Sequence, residues 1–270
     1  MATIFSYQDD QISFFFSRTE VPNPDEFHMH THPKLELYHF CSGKGIYHAE
    51  GSAYPLEAGD VLLMRSGESH YIELDPSEPY ERFSLHFSPH LLEGIDPENI
   101  LLKSYFDRKG GKQNLYRAHS FRGGSARHYF DTMMQGDAPR ISILAGLIPI
   151  LHEIRSIFYS NANQDEPESD TMAYRIVRYL KKNLNNPITL DDICREFYIS
   201  RSQLCRIFRD ATGTTVKHYL TVKRLLNAKR RIDAGELATH IYLQCGFNDY
   251  SSFYRAYVKH FGCAPTEKQE

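Results

Sequence analysis

Residues 188–231 read ITLDDICREFYISRSQLCRIFRDATGTTVKHYLTVKRLLNAKRR and contain the most informative local pattern of the chain. Thr189 is a suitable N-cap for a short helix, in which apolar residues recur every three or four positions. Tyr198 and Ile199 then fit a tight turn, and Ser200 can cap a second helix over residues 201–211, which is basic on its outer face. Two short helices joined by such a turn predict a helix-turn-helix.

The same pattern recurs near the C-terminus in CGFNDYSSFYRAYVKHFGCAP, residues 245–265. It predicts a short helix over residues 237–245, a turn at Gly246, and a second helix that Asn248 or Asp249 caps. Residues 216–232 fit one long connecting helix, and residues 173–184 fit a helix that ends before Asn-Asn-Pro. The last hundred residues therefore predict an all-α domain with two helix-turn-helix units joined by a long helix.

The net charge of −3 conceals a strong asymmetry along the 270 residues. Residues 1–170 carry 14 basic and 25 acidic side chains, whereas residues 171–270 carry 17 basic and 9 acidic ones. A basic domain behind an acidic one indicates two domains with different partners, nucleic acid being a partner of the basic one. The polar, proline-containing stretch 161–170 is the predicted linker, which gives domains at residues 1–160 and 171–270.

The first half of the chain alternates like an antiparallel sheet and then becomes helical. Short runs such as ISFFF, LELYHF, GIYHA, DVLLM, HYIEL and RFSLHF are separated by turn residues, which is typical of a sandwich or barrel. Residues 126–134 and 141–158 have the three- and four-residue apolar spacing of helices. These helices could pack on their own barrel or form a dimer interface. The fold class is therefore α+β, an N-terminal antiparallel β-barrel followed by helices and then the all-α domain.

Three histidines and a carboxylate stand close together in the first half. Residues two apart on a strand share a face, so His30 and His32 could converge, and Glu36 keeps their parity. His70, from a later strand, could complete the set. Such ligands suit zinc, manganese, nickel or iron, but the same residues could bind a small molecule directly or be structural. The remaining histidines of this half are expected at the surface or in the core, without a role: His39, His48, His86 and His90.

The spacing of these residues resembles the two motifs of the cupin family. The first motif, H-x-H-x3-E-x6-G, is matched from His30 to Gly43. The second, G-x5-P-x-G-x2-H-x3-N, is matched from Gly59 to His70, with substitutions at its proline and asparagine positions. The resemblance implies a cupin-like barrel whose effector-binding residues are His30, His32, Glu36 and His70. No cofactor is expected, although a divalent metal is compatible with this set.

The last hundred residues resemble the DNA-binding domain of AraC/XylS-type transcriptional regulators. The resemblance covers residues 171–265 and rests on the string I-S-x-x-x-L-x-R-x-F paired with G-F-x-D-x-S-x-F. It implies that two recognition helices enter successive major grooves of double-stranded DNA. The implied DNA-contacting residues are Arg201, Ser202, Gln203, Cys205, Arg206 and Arg209 in the first helix-turn-helix, and Asn248, Tyr250, Ser251, Ser252, Tyr254 and Arg255 in the second. For Arg206 and Arg255, base contact and phosphate contact both stay open.

Together these patterns predict a DNA-binding transcriptional regulator that responds to a small effector such as a sugar, and not an enzyme. The resemblance implies a homodimer, and contact with RNA polymerase if the protein is an activator. We expect a cytoplasmic protein without a secretion signal or membrane span, because no apolar run approaches 20 residues. Five scattered cysteines argue against a disulfide framework and a cysteine zinc finger. The alternatives are a cupin metalloenzyme with a basic helical domain, and a carbohydrate-binding module.

Overall fold

The computed structural model describes residues 2–23, 26–161 and 171–266. The chain forms two compact units, an amino-terminal unit, Met1–Ser169, and a carboxyl-terminal unit, Asp170–Glu270. The predicted linker at 161–170 lies outside the described residues, except for Asn161, which is the last residue of a helix.

Within the described residues, the amino-terminal unit contains nine antiparallel strands in two sheets. They are β1 (Ala2–Gln8), β2 (Ile12–Thr19), β3 (Leu35–Ser42), β4 (Gly45–Ala49), β5 (Ser52–Pro55), β6 (Val61–Met64), β7 (His70–Leu74), β8 (Tyr80–Phe87) and β9 (Leu115–Tyr116). The larger sheet has the order β1-β2-β8-β3-β6-β9 and the smaller one β5-β4-β7. All six predicted runs form strands. The expected barrel is instead a pair of sheets, because the short strands β4, β5 and β7 pair with one another.

The central strands of the larger sheet, such as β3, are buried on both faces. Along β3, Leu35 and Leu37 face one apolar cluster, whereas Tyr38 and Phe40 face another that they share with the smaller sheet. Since side chains alternate along a strand, Glu36 lies on the same face as Tyr38, toward the smaller sheet. The larger sheet is therefore the middle layer of this unit.

Three helices complete the amino-terminal unit: α1 (Lys103–Phe106), α2 (Arg127–Met133) and α3 (Pro139–Asn161). Six apolar residues of α3 are buried in the cluster that contains the outer face of the larger sheet: Ile143, Leu147, Ile150, Leu151, Ile154 and Phe158. This face of the predicted helix therefore packs on its own unit. Contrary to the sequence expectation, α3 is long and apolar enough to cross a membrane by length and composition alone. Its packing against the sheet is that of a core helix.

Six helices form the carboxyl-terminal unit: α4 (Met172–Lys182), α5 (Leu190–Phe197), α6 (Arg201–Thr212), α7 (Val216–Asp233), α8 (Ala238–Ile241) and α9 (Tyr250–Phe261). The predicted caps Thr189 and Ser200 both form capping boxes, with Asp192 and Gln203. The helix expected over residues 237–245 is wrong in length, because only α8 is regular. Leu237 supplies no side-chain cap, and the turns that follow mix three- and four-residue hydrogen bonds.

Candidate effector site and DNA-recognition surface

Glu36 is the centre of the histidine cluster in the amino-terminal unit. Strand pairing places His86 of β8 directly opposite Glu36 of β3. His70 begins β7, and a pair of backbone hydrogen bonds joins it to His30. The prediction that His30 and His32 share a strand is wrong. They lie before β3, in a segment where His30 bridges to His70 and the His32 carbonyl accepts the backbone N–H of Gly67.

Three imidazoles surround the Glu36 carboxylate. The Nε2 atoms of His32 and His70 each lie 3.1 Å from Glu36 Oε2, and His86 Nε2 lies 3.5 Å from Oε1. Glu36 and His70 are buried, His32 and His86 are half-buried, and His30 is exposed. His30 therefore lies at the solvent side of the cluster, its ring 4.3 Å from that of His70 between centroids.

Hydrogen bonds fix the orientation of two of these rings. His32 Nδ1 lies 2.7 Å from the Lys34 carbonyl and His70 Nδ1 2.8 Å from the Glu68 carbonyl. Because a carbonyl only accepts, each Nδ1 carries the proton. Each Nε2 then presents a lone pair to Glu36 or holds a second proton. His70 Nε2 lacks hydrogen-bond geometry toward any described group.

The electrostatics of the cluster favour a charged carboxylate. Burial alone would raise the pKa of Glu36, but His86, His32 and His70 hold that pKa well below its usual range. Burial lowers the pKa of His86, and the Glu36 carboxylate opposes that shift. A buried anion beside imidazole nitrogens is a favourable environment for a cation or for hydroxyl donors.

A row of aromatic and polar side chains continues from this cluster between the two sheets. The ring of Tyr47 stacks on His70 and lies 5.0 Å from that of Tyr38 between centroids. The hydroxyls of Tyr38 and Tyr80 are hydrogen-bonded, and the Arg82 guanidinium lies 5.0 Å from the Tyr80 ring centre. Burial raises the pKa of Tyr80 to about 12, so its phenol stays neutral. Rings next to hydroxyl and charged groups suit a polar organic ligand.

A buried ion pair fixes the loop that presents His70. Arg108 lies 2.6 Å from the Glu68 carboxylate, which also accepts the backbone N–H of Gly111 and the side-chain amide of Asn114. Burial would raise the pKa of Glu68, but Arg108 lowers it to about 2. The carbonyl of Glu68 in turn accepts from His70, so this pair orients that ring.

Sequence reasoning missed His86, which was expected to have no role. His32, Glu36 and His86 place one ligand atom each within 4.8 Å of one another. Since His86 and Glu36 are neighbours only across a strand pair, no local spacing could identify it. The alternating pattern of RFSLHF places His86 on one face of its strand. Only the pairing of β8 with β3 shows that this face also carries Glu36.

The predicted recognition residues of α6 are all exposed. Arg201 Nε lies 2.6 Å from Asp191 Oδ1 of α5, and Gln203 accepts the backbone N–H of Ser200. These two side chains thus already have partners within the motif. Ser202, Cys205, Arg206 and Arg209 extend the exposed face of the helix.

Five of the six residues predicted to contact DNA in the second unit are exposed: Asn248 in the turn before α9, and Ser251, Ser252, Tyr254 and Arg255 on α9. Asp249, not Asn248, is the cap, and it accepts the Ser252 N–H at 2.7 Å. Tyr250 is half-buried between Tyr242 and Phe253, with ring centres at 5.6 and 5.8 Å. The ring of Tyr250 therefore packs mainly against the core of its own unit.

Two family models match the chain, one on each unit. The AraC-like ligand binding domain matches residues 16–131, and a helix-turn-helix domain matches residues 193–270. The raffinose operon transcriptional regulatory protein RafR of Pediococcus pentosaceus is 23% identical over 96% of this chain and 92% of its own length. The HTH-type transcriptional activator RhaR of Mannheimia succiniciproducens is 26% identical over 89% of this chain and 86% of its length. The Msm operon regulatory protein of Streptococcus mutans is 23% identical over 86% and 82%.

A ligand-binding domain joined to a double helix-turn-helix defines an effector-responsive, DNA-binding transcriptional regulator and not an enzyme. The alternative of a metalloenzyme is thus wrong. The chain belongs to the AraC family of regulators, as the paired helix-turn-helix strings predicted.

Proposed function

We propose that the amino-terminal unit binds a sugar between its two sheets, in contact with His32, Glu36, His70 and His86. The observation that carries this proposal is the buried carboxylate within a ring of imidazoles, continued by Tyr47 and Tyr38. Sugars present hydroxyl groups for such acceptors and apolar ring faces for aromatic side chains. The name of the raffinose operon regulator supports a saccharide. His30 contacts the ligand from the solvent side.

We propose further that a divalent transition metal is held by His32, Glu36 and His86, with His70 beside them. The donor set is that of a 2-His-1-carboxylate site, and anchored Nδ1 atoms are typical of histidines that bind metals. When bound, such an ion supplies a Lewis acid that coordinates ligand hydroxyls. The residues themselves orient the ligand and exclude water from Glu36.

Metal content of the purified protein tests this proposal, with His86→Ala compared to His90→Ala. We expect one zinc, manganese, nickel or iron per chain, and an affinity at least about tenfold lower in His86→Ala. His90 is an exposed histidine outside the cluster and serves as the matched control. Equal metal content in the two variants, or no metal in the parent protein, contradicts the proposal.

We propose that α6 and α9 contact double-stranded DNA through the exposed residues described above, and that Arg206 reads guanine. Arg206 is exposed and has no ion pair within the part of the chain that the structure describes. A bidentate contact of arginine to guanine discriminates between bases by about 1–3 kcal/mol. Arg201 positions α6 against α5 through Asp191 in addition to any phosphate contact.

We propose that the regulator acts in the cytoplasm as a homodimer and activates transcription through contact with RNA polymerase. The exposed side of α3 is available to a second copy, since Ile141 is 69% exposed. The activator named among the relatives supports activation. Sedimentation at several protein concentrations tests the dimer, and a purely monomeric protein at micromolar concentration contradicts it.

Selection from genomic DNA tests the regulatory function as a whole. Sheared bacterial DNA is passed over the full-length protein at moderate salt, and the retained fragments are sequenced. We expect discrete sites with two half-sites about 10 base pairs apart, next to genes that indicate the effector. Retention without a motif that disappears as salt rises indicates nonspecific charge binding and contradicts sequence recognition.

A further inference from the structure

A cavity of about 470 Å³ lies beside α3 on the helical side of the amino-terminal unit. Its walls come from α2, from the second half of α3 and from the short helical turns over residues 118–124. The cavity shares no residue with the Glu36 cluster, so it goes beyond the proposed effector site. Its volume is within the range of small-molecule sites.

Glu153 forms the charged part of this cavity and is only 7% exposed. It interrupts the otherwise apolar buried face of α3. One carboxylate oxygen accepts the backbone N–H of Arg122 at 2.7 Å, and the other accepts the hydroxyl of Tyr129 at 2.6 Å. Both donors are neutral groups, so the carboxylate is hydrogen-bonded without a direct ion pair.

Within the described residues, no cationic side chain forms an ion pair with Glu153. Two residues that can carry a positive charge, Arg122 and His152, line the cavity, and both are exposed. Residues 162–170, which follow α3, contain four acidic and no basic side chains. Since a buried carboxylate is strongly stabilised by a nearby positive charge, this cavity favours a cation.

The rim of the cavity adds acceptors for hydroxyl groups. Ser156 Oγ donates to the His152 carbonyl and Ser160 Oγ donates to the Ser156 carbonyl, at 3.0 and 2.8 Å. Each serine has used its proton within the helix, so its oxygen lone pairs remain available to a ligand. A hydroxyl-bearing cation thus meets acceptors both at Glu153 and at the rim.

We propose that this cavity binds a small organic ammonium compound that carries hydroxyl groups. Its ammonium group lies against Glu153, and its hydroxyls donate to Ser156 and Ser160. A bound compound contacts both the turns over residues 118–124 and the last two turns of α3. It therefore links two segments that lie far apart in the sequence.

Calorimetric titration of the full-length His86→Ala protein, in which the proposed sugar site at Glu36 is impaired, tests this proposal. The protein is titrated with glucosamine, and with glucose as the neutral compound of matched shape. We expect glucosamine to bind at least about tenfold more tightly than glucose, because only glucosamine places a positive charge at Glu153. Glu153→Gln should weaken glucosamine binding at least about tenfold. Asp137→Asn, which removes an equal charge at an exposed position between α2 and α3, should leave it unchanged.

Equal binding of the two sugars, no binding of glucosamine at millimolar concentration, or unchanged binding in Glu153→Gln overturns the proposal. Ser160→Tyr is the second variant, because an exposed residue at the rim can be enlarged without disturbing the core. It should block glucosamine while the protein stays folded. Retained DNA binding in the same samples shows that a loss of glucosamine binding is not a loss of the regulator itself.

Discussion

The two helix-turn-helix units have the same plan but are held together by different interactions. In the first, capping boxes begin both helices, and the ion pair of Arg201 with Asp191 joins them at the surface. In the second, α8 has only four residues and no side-chain cap, and the unit depends on packed rings around Phe253. Both units have an apolar core, but side chains cap both helices of the first unit and only the second helix of the other, through Asp249.

The turns of the two units also differ, in how much space they leave for a side chain. Tyr198 occupies the left-handed region at φ 54° and is 96% exposed, so its side chain meets nothing. Gly246 occupies it at φ 84°, where an added Cβ would lie 2.6 Å from Arg224 Nε. The first turn therefore tolerates a side chain that the second excludes.

The largest expected effect is the loss of stability when a buried aromatic ring is removed from either core. Phe208→Ala and Phe253→Ala should each lower the free energy of unfolding by about 3–5 kcal/mol, because both rings are fully buried in separate clusters. Urea denaturation followed by circular dichroism measures this. Tyr198→Ala is the exposed aromatic control, with an expected change within about 0.5 kcal/mol. A small loss for Phe253→Ala would show that the rings of the second unit do not hold it together.

The second-largest expected effect is on DNA-binding affinity, and it shows whether both units recognise the base sequence. Arg206→Ala and Arg255→Ala should each weaken binding to a selected site by about 1–3 kcal/mol, and binding to random DNA by less. Fluorescence anisotropy with both DNAs measures the difference. Arg178→Ala removes an exposed arginine of α4 and controls for charge. If Arg206→Ala weakens both DNAs equally, the contact is to phosphate.

Substitutions at the two turns should have effects of intermediate size on stability. Gly246→Ala should destabilise the protein by about 1–2 kcal/mol, since a side chain is strained at its positive φ and meets Arg224. Tyr198→Gly should change stability by less than about 1 kcal/mol, because relief of strain offsets the added freedom of glycine. Thermal unfolding measures both. Equal losses in the two variants would show that the turns are equivalent.

The smallest expected effect tests the surface pair. Arg201→Ala should leave the free energy of unfolding almost unchanged, because both partners of the ion pair with Asp191 are exposed. A double-mutant cycle with Asp191→Ala measures the coupling. A coupling as large as the loss caused by Ser200→Ala, which removes a capping box, would mean that this pair contributes as much to the first unit as the cap.

Much of the carboxyl-terminal unit could be predicted because its signals are local. Thr189 and Ser200 cap helices through residues three positions away, and the periodic apolar residues of α7 lie on one helix. The length of α8 could not be predicted in the same way. Its hydrogen-bond pattern depends on how the following turns pack against α7 and α9.

In the amino-terminal unit, the six quoted strands and both helices were predicted, but the site was predicted only in part. His32, Glu36 and His70 do come together, whereas His30 lies at the solvent side and His86 enters from β8. The edge strand β1 and the short strands β5 and β9 were not predicted. Pairing of segments far apart in sequence brings His86 and His70 to Glu36 and adds β9 to β6, whereas β1 and β5 pair with the strands next to them in the chain.

By itself, the sequence indicated the two-unit organisation through its charge asymmetry, and the double helix-turn-helix through caps, turns and periodicity, which act over a few residues. The AraC family was indicated by the resemblance of two motif strings. Only the tertiary structure decided that β8 pairs with β3, and therefore that His86 faces Glu36. It also decided that Glu153 of an apolar helix faces a cavity. Such contacts join residues far apart in the chain, and their geometry depends on the packing of the layers between them.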